Sequence, residues 1–136
     1  MASYNKFQDF VEALGLGEHN LSTDTLKVYL SNTTPDAAAD ADKTDLAEIT
    51  NQNGYTAPVD IQNTWTETGG TATLAGTDVP ITASGGTVGP FRYAVIYNDD
   101  HASDGLVCWW DYGSSITLQD GESFTIDFGA SIFTLT

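Results

Sequence analysis

The chain has 136 residues, 40% of them hydrophobic, enough for one domain with its own core and too few for two comfortable ones. Its net charge is -15, and the positive side chains are Lys6, Lys27, Lys43 and Arg92. That balance argues against nucleic acid and anionic membranes as partners, since phosphates demand clustered Lys or Arg.

No run reaches the roughly 18 apolar residues of a membrane span, and the first residues lack the pattern of a signal peptide. The expectation is a protein assembled in the cytoplasm. Cys108 is the single cysteine, so no disulfide forms within the chain. Between Val107 and Trp109 it reads as a small core residue.

Ser3 can cap a helix over 3–15, in which Phe7, Phe10, Val11 and Leu14 recur at i, i+3, i+4 and i+7 and Gly15 with Gly17 supplies the stop. A helix of about three turns is marginal alone, so its stripe must dock. It either covers one face of a sheet or packs on another protein, which makes Phe7, Phe10, Val11 and Leu14 a candidate protein interface. His19, just past the stop, reads as a solvated loop residue.

A first strand is predicted over 25–33, with Leu26, Val28 and Leu30 alternating against Lys27, Tyr29 and Ser31. Residues 34–47 form an acidic, Ala-rich connection with room for a helical turn near Leu46. Its aspartates Asp36, Asp40, Asp42 and Asp45 do not follow the twelve-residue calcium pattern. From Val59 onward the chain is rich in Thr and β-branched residues punctuated by glycine. Short antiparallel strands are expected at 59–67, 71–75, 78–83, 91–98, 105–112, 114–119, 122–128 and 131–135.

The two runs around Phe91–Asn98 and Leu106–Tyr112 are apolar on both faces. Phe91, Tyr93, Val95 and Tyr97 share one side, Ala94 and Ile96 the other. One side belongs inside a sandwich. The second must be roofed by a helix, a loop or a neighbouring subunit. A loop from Asp99 to Asp104, closed by Asn98 and Gly105, sets Arg92 against Asp111, Ala94 against Trp109 and Tyr93 against Trp110. Arg92 and Asp111 are then a structural ion pair across the strands. A second hairpin turning at Asp120-Gly121 needs a three-residue loop or a bulge, so that Ile116 and Leu118 share a face with Phe124 and Ile126. The fold class is mainly β: an antiparallel β-sandwich, jelly-roll or immunoglobulin-like, with a short N-terminal amphipathic helix.

The chain lacks a Gly-x-Ser-x-Gly elbow, a P-loop, a dinucleotide fingerprint and a His-Glu-x-x-His motif, so no catalytic, cofactor or metal residue is assigned and no enzyme is expected. His101 sits among Asp99, Asp100 and Asp104, donors of the kind a cation takes, and reads more simply as a charged hairpin tip. Nineteen acids always offer some pair spaced for glycoside hydrolysis, and no spacing selects one. Trp65, flanked by Thr64 and Thr66, is the tryptophan in a polar context and the candidate for surface binding.

Several segments carry a resemblance. They are Tyr4-Asn5-Lys6-Phe7, Asp24-Thr25-Leu26-Lys27-Val28, Asn53-Gly54-Tyr55, Ser84 through Val95, Trp109-Trp110-Asp111-Tyr112-Gly113-Ser114, and Asp120-Gly121-Glu122-Ser123-Phe124. In their order the chain resembles a family of small structural proteins of tailed bacteriophages that decorate the capsid. The resemblance implies a non-enzymatic virion protein on the capsid surface. It would bind the major capsid protein of the assembled shell, often as a trimer near threefold positions, and reinforce contacts between subunits. It implies no cofactor and no catalytic residue. A second reading is a carbohydrate-binding module of a tail fibre or head surface, using Trp65 and the loop Asp99–Asp104.

Overall fold

A computed structural model describes residues 2–136. The chain is mainly β, with antiparallel sheets and one short helix, in a sandwich-like arrangement. In chain order the elements are β1 (Ser3–Lys6), α1 (Gln8–Gly15), β2 (Leu26–Ser31), β3 (Val59–Asp60), β4 (Thr64–Thr68), β5 (Thr71–Ala75), β6 (Val79–Thr82), β7 (Val88–Asn98), β8 (Leu106–Leu118), β9 (Ser123–Ile126) and β10 (Phe133–Leu135). A 3-10 turn at Lys43–Asp45 lies beside the expected position near Leu46.

The main sheet runs β1-β8-β7-β2-β3, while β10-β5-β4 and β6-β9 are separate small sheets. Aromatic contacts join the layers: Phe91 lies 5.1 Å from Phe124, Trp110 5.4 Å from Phe128, and Phe10 5.9 Å from Phe133. One contiguous cluster of buried apolar side chains extends from Phe7 to Ile132.

The other face of the main sheet is roofed by the acidic connection. Tyr29 donates its hydroxyl to the Leu46 carbonyl at 2.8 Å, and Ser31 donates to the Ala47 carbonyl at 2.6 Å. The Leu106 N–H reaches Ala41 O at 2.9 Å, and the Lys43 ammonium lies 5.0 Å from the Tyr29 ring and 5.6 Å from that of Tyr97. Ala37 and Ala41 are half-buried where this backbone lies against the sheet; Asp36 and Asp45 are exposed, while Asp40 and Asp42 are half-buried. The doubly apolar strands are thus covered by a loop of their own chain, which leaves the helix for another place.

The N-terminal segment departs from the expected helix over 3–15. Residues Ser3 to Lys6 pair with Asp111 to Cys108 as an edge strand, and α1 begins only at Gln8. Phe7 is the N-cap with extended dihedrals and no side-chain cap, so Ser3 caps nothing. The edge of β8 offers a full row of backbone partners, which outweighs one extra turn of an isolated helix. The stop holds as read: Gly17 adopts φ +77° and its N–H reaches the Leu14 carbonyl at 3.2 Å.

Register in the β7–β8 hairpin is offset by one residue from the expected one. Near the loop Tyr97 faces Leu106 as expected, but a bulge at Val107 shifts the rest, so that Tyr93 faces Asp111, Ala94 faces Trp110 and Val95 faces Trp109. A second irregularity around Arg92 sends Phe91 inward to Phe124, while the Tyr93 hydroxyl lies 3.3 Å from Thr34 of the connection. The two do not share a face. The expected strands 105–112 and 114–119 are one continuous β8. The second hairpin does not pair: β9 bonds β6, Val79 facing Ile126, and the turn at Gln119–Glu122 carries the chain from one layer to the other.

Candidate functional site

The helix stripe divides. Phe7 is fully buried against Trp109, ring centroids 4.6 Å apart, and Phe10 is 4% exposed between Phe133 and His19. These two belong to the core, which corrects their assignment to a protein interface. The reason is the late start of α1: with Phe7 as N-cap on the β1–β8 edge, its ring packs on Trp109 on the roofed face of the main sheet, while Phe10, one turn on, reaches Phe133 of the other layer. Val11 is 52% exposed and Leu14 half-buried, so the outer half of the stripe remains free.

Val11 and Leu14 line a hollow of about 240 Å³ together with Tyr4 and Lys6 of β1 and Phe133 and Leu135 of β10. A second hollow, about 350 Å³, continues past Leu14 and Leu135 to His19, Leu21 and Trp65. Sharing two walls, they form one trough along the outer side of α1. Both β1 and β10 are edge strands of their sheets, so the trough is flanked by two rows of backbone that no neighbouring strand covers. Tyr4 stands edge-on to Trp110 at 5.7 Å with its ring partly open to solvent. It serves as apolar wall.

Among the described residues four large hydrophobic side chains are exposed: Tyr4, Val11, Leu16 and Leu135. Three line the trough, and Leu16 follows at the end of α1. Solvated apolar residues are ordinary when scattered; their gathering on one strip of an acidic protein makes that strip the candidate contact surface. Trp65, on β4 opposite Leu74, is half-buried with its ring 6.0 Å from Phe133. It forms the far wall of this trough rather than a separate platform. The chain matches no protein-family model, no curated protein and no solved structure.

Arg92 and Asp111 do meet, Nε donating to Oδ1 at 2.8 Å and a terminal guanidinium nitrogen to Oδ2 at 3.2 Å, although the register offsets their backbones. The irregularity at Arg92 supplies the missing reach. The guanidinium holds the Asp111 carboxyl below its ordinary range, and the Gly113 N–H adds to this. Both side chains are about a third exposed, so the pair contributes little and is screened by salt. A carboxyl depressed in the folded state lends stability above its ordinary pKa and loses it as pH falls through the folded value. Arg92→Gln should therefore lower Tm by only a few degrees at pH 7 in low salt. The difference should vanish in 1 M salt and shrink below about pH 4; a thermal melt series over salt and pH reads this directly.

The loop Asp99–Asp104 does not assemble a cation site: no group of three metal-ligating side chains converges among the described residues. Its acids are used locally, Asp99 on Lys27 at 3.0 Å and Asp100 on the Thr25 N–H at 2.6 Å. His19 is 6% exposed rather than solvated, and lies stacked on His101. Sequence alone missed this meeting. The one available signal was the pair of adjoining loops that would come together once β2 paired with β7. Cys108 is fully buried, and burial pushes its thiol well above the ordinary value, which leaves it unreactive.

Proposed function

We propose that this is a non-enzymatic virion protein that docks on an assembled phage capsid and reinforces contacts between capsid subunits, with the trough along α1 as its docking face. The observation that carries the reading is the gathering of Tyr4, Val11 and Leu135 on one strip between two uncovered strand edges. The resemblance of Tyr4–Phe7, Ser84–Val95 and Trp109–Ser114 to capsid-decorating proteins supports it. A net charge of -15 selects the partner's chemistry: an apolar segment of the capsid subunit flanked by basic residues. Asp9 and Glu12, both exposed on α1 beside Val11, lie where such flanks would fall. As a trimer, three copies would bridge the subunits around a threefold position.

Co-sedimentation with undecorated, expanded heads tests this. Binding should saturate at a fixed ratio at or below one copy per capsid subunit. Free subunits should bind much more weakly, because a cement stabilises a shell only through its preference for the assembled form. Val11→Asp and Leu135→Asp, at exposed positions, should leave Tm within a few degrees and weaken head binding tenfold or more. Unchanged binding by both variants would remove the trough from the mechanism. No binding by the wild type would turn attention to glycan recognition, with Trp65 as the first residue to replace.

A further inference from the structure

His19, in the loop after α1, and His101, in the β7–β8 loop, lie with ring centroids 4.9 Å apart and planes within 17°. Between them and the core stands Asn98, 0% exposed at the end of β7. The Asn98 Oδ1 accepts the Asp100 N–H at 2.9 Å, which fixes which way the amide points. Its Nδ2 then donates one hydrogen to His19 Nδ1 at 3.0 Å and the other to Asp24 Oδ2 at 2.7 Å. His19 Nδ1 must therefore present a lone pair, and its ring hydrogen sits on Nε2. His101 Nδ1 accepts the N–H groups of Ser103 and Gly105, each at 3.2 Å, so its hydrogen also lies on Nε2, aimed at Glu18 Oε1 at 3.3 Å. Asp24 additionally accepts the Asn20 N–H at 2.8 Å.

A proton on His19 Nδ1 would set two donors against each other. Turning the Asn98 amide over offers no escape, because its NH₂ would then oppose the Asp100 N–H and its oxygen the Asp24 carboxylate. The charged groups that face His19 are Asp9 of α1, Glu18 and Asp24 of its own loop, and His101 of the hairpin. β4 and β10 bring only Trp65 and Leu135 to this hollow. The three carboxylates favour the proton; burial and His101 oppose it and prevail, holding the imidazole below its ordinary pKa.

We propose that His19, Asn98 and His101 form an acid-opened latch, which holds the α1–β2 loop on the β7–β8 hairpin at neutral pH and releases it when His19 Nδ1 is protonated. The latch belongs to the free chain and does not depend on docking. Its consequence for a partner does rest on the docking reading: His19, Asn20 and Leu21 wall the Trp65 end of the trough, so acid would reshape that end. A histidine depressed in the closed state leaves that state fully favoured above about pH 6.5. The closed-to-open ratio falls as pH drops from there towards the closed-state value, by at most about tenfold per pH unit for one proton.

Amide hydrogen exchange on the full chain between pH 8 and 5, corrected for the intrinsic pH dependence of exchange, reads the latch. Protection at Thr25, Asp100, Ser103 and Gly105 should fall by up to about tenfold per pH unit below 6.5, while Tyr29 and Val95 in the sheet hold theirs. His19→Gln, whose amide oxygen still accepts from Asn98 and takes up no proton in this range, should keep that protection flat. A wild type without the acid step, or a variant that retains it, would overturn the latch. If the variant does not fold, the wild-type imidazole nitrogen shifts decide: a lone pair on His19 Nδ1 at pH 7.5 supports the latch, a hydrogen there sinks it. Failure to bind heads would leave all of these readouts unchanged.

Discussion

Phe7→Ala should cost about 3–5 kcal/mol of folding stability and lower Tm by roughly 10–20 °C, whatever partner the protein has. The side chain is fully buried, lies 4.6 Å from Trp109 between ring centroids, and sits where β1 turns into α1, with its N–H on the Val107 carbonyl at 3.2 Å. Removing the ring opens a cavity at the junction of the edge strand, the helix and β8, and none of the three can shift inward without losing its own bonds. Val11→Ala, one helical turn further on and 52% exposed, should change stability by no more than about 0.5 kcal/mol. Urea denaturation of the two variants side by side is the measurement. If Phe7→Ala keeps the wild-type midpoint and loses only partner binding, the placement of Phe7 in the core is wrong.

Gly54→Ala should be nearly as damaging, at about 2–4 kcal/mol, for a different reason. Gly54 holds φ +97°, and a Cβ there would collide with the Thr82 backbone carbonyl oxygen. The clash cannot relax easily, because both sides are tied: the Ser84 N–H donates to Asn53 O at 2.8 Å and the Asn53 amide donates to Thr87 O at 2.8 Å. Next door the Tyr55 hydroxyl accepts the Leu30 N–H at 2.9 Å, so a displaced turn would also disturb β2. Gly69→Ala is the control. It has φ +60° with open space around it, in the two-residue turn between β4 and β5, and should cost about 1 kcal/mol of backbone strain alone. A lower urea midpoint with unchanged slope would identify the loss as native-state strain. Equal losses at both positions would mean that the Thr82 contact carries no weight.

Much of the β architecture was legible because it is written locally. Alternation marked β2, paired glycines marked the β4–β5 turn, and Asn98 with Gly105 closed the loop as read, the Asn98 N–H on Gly105 O at 2.9 Å. What escaped was decided at a distance. Ser3–Lys6 scans as the first turn of a helix until β8, far along the chain, supplies an edge in register, Lys6 facing Cys108 and Ser3 facing Asp111. The pairing of β9 with β6 rather than β8 has no local signature either, since Asp120-Gly121 suits a hairpin and a crossing between layers equally. The bulge at Val107 moved the cross-strand partners by one, and the irregularity at Arg92 let the ion pair form regardless. For the candidate site, Val11 and Leu14 were visible from periodicity alone. Their other walls on β1 and β10 were not, because edges become known only with the sheet order.

That order also sets a timetable for synthesis. In β1-β8-β7-β2-β3 both outer partners of the first two strands come late: β2 waits for β7, and β1 waits for β8. At a ribosomal pace of about 5–20 residues per second, the nascent N-terminal third spends several seconds outside the tunnel with neither strand completed. During that interval β2 has only the two-residue β3 and the 34–47 connection beside it, while β1 and α1 have no sheet to dock on. Protease resistance on stalled ribosomes should therefore arrive late and abruptly, once β8 has emerged, instead of growing strand by strand.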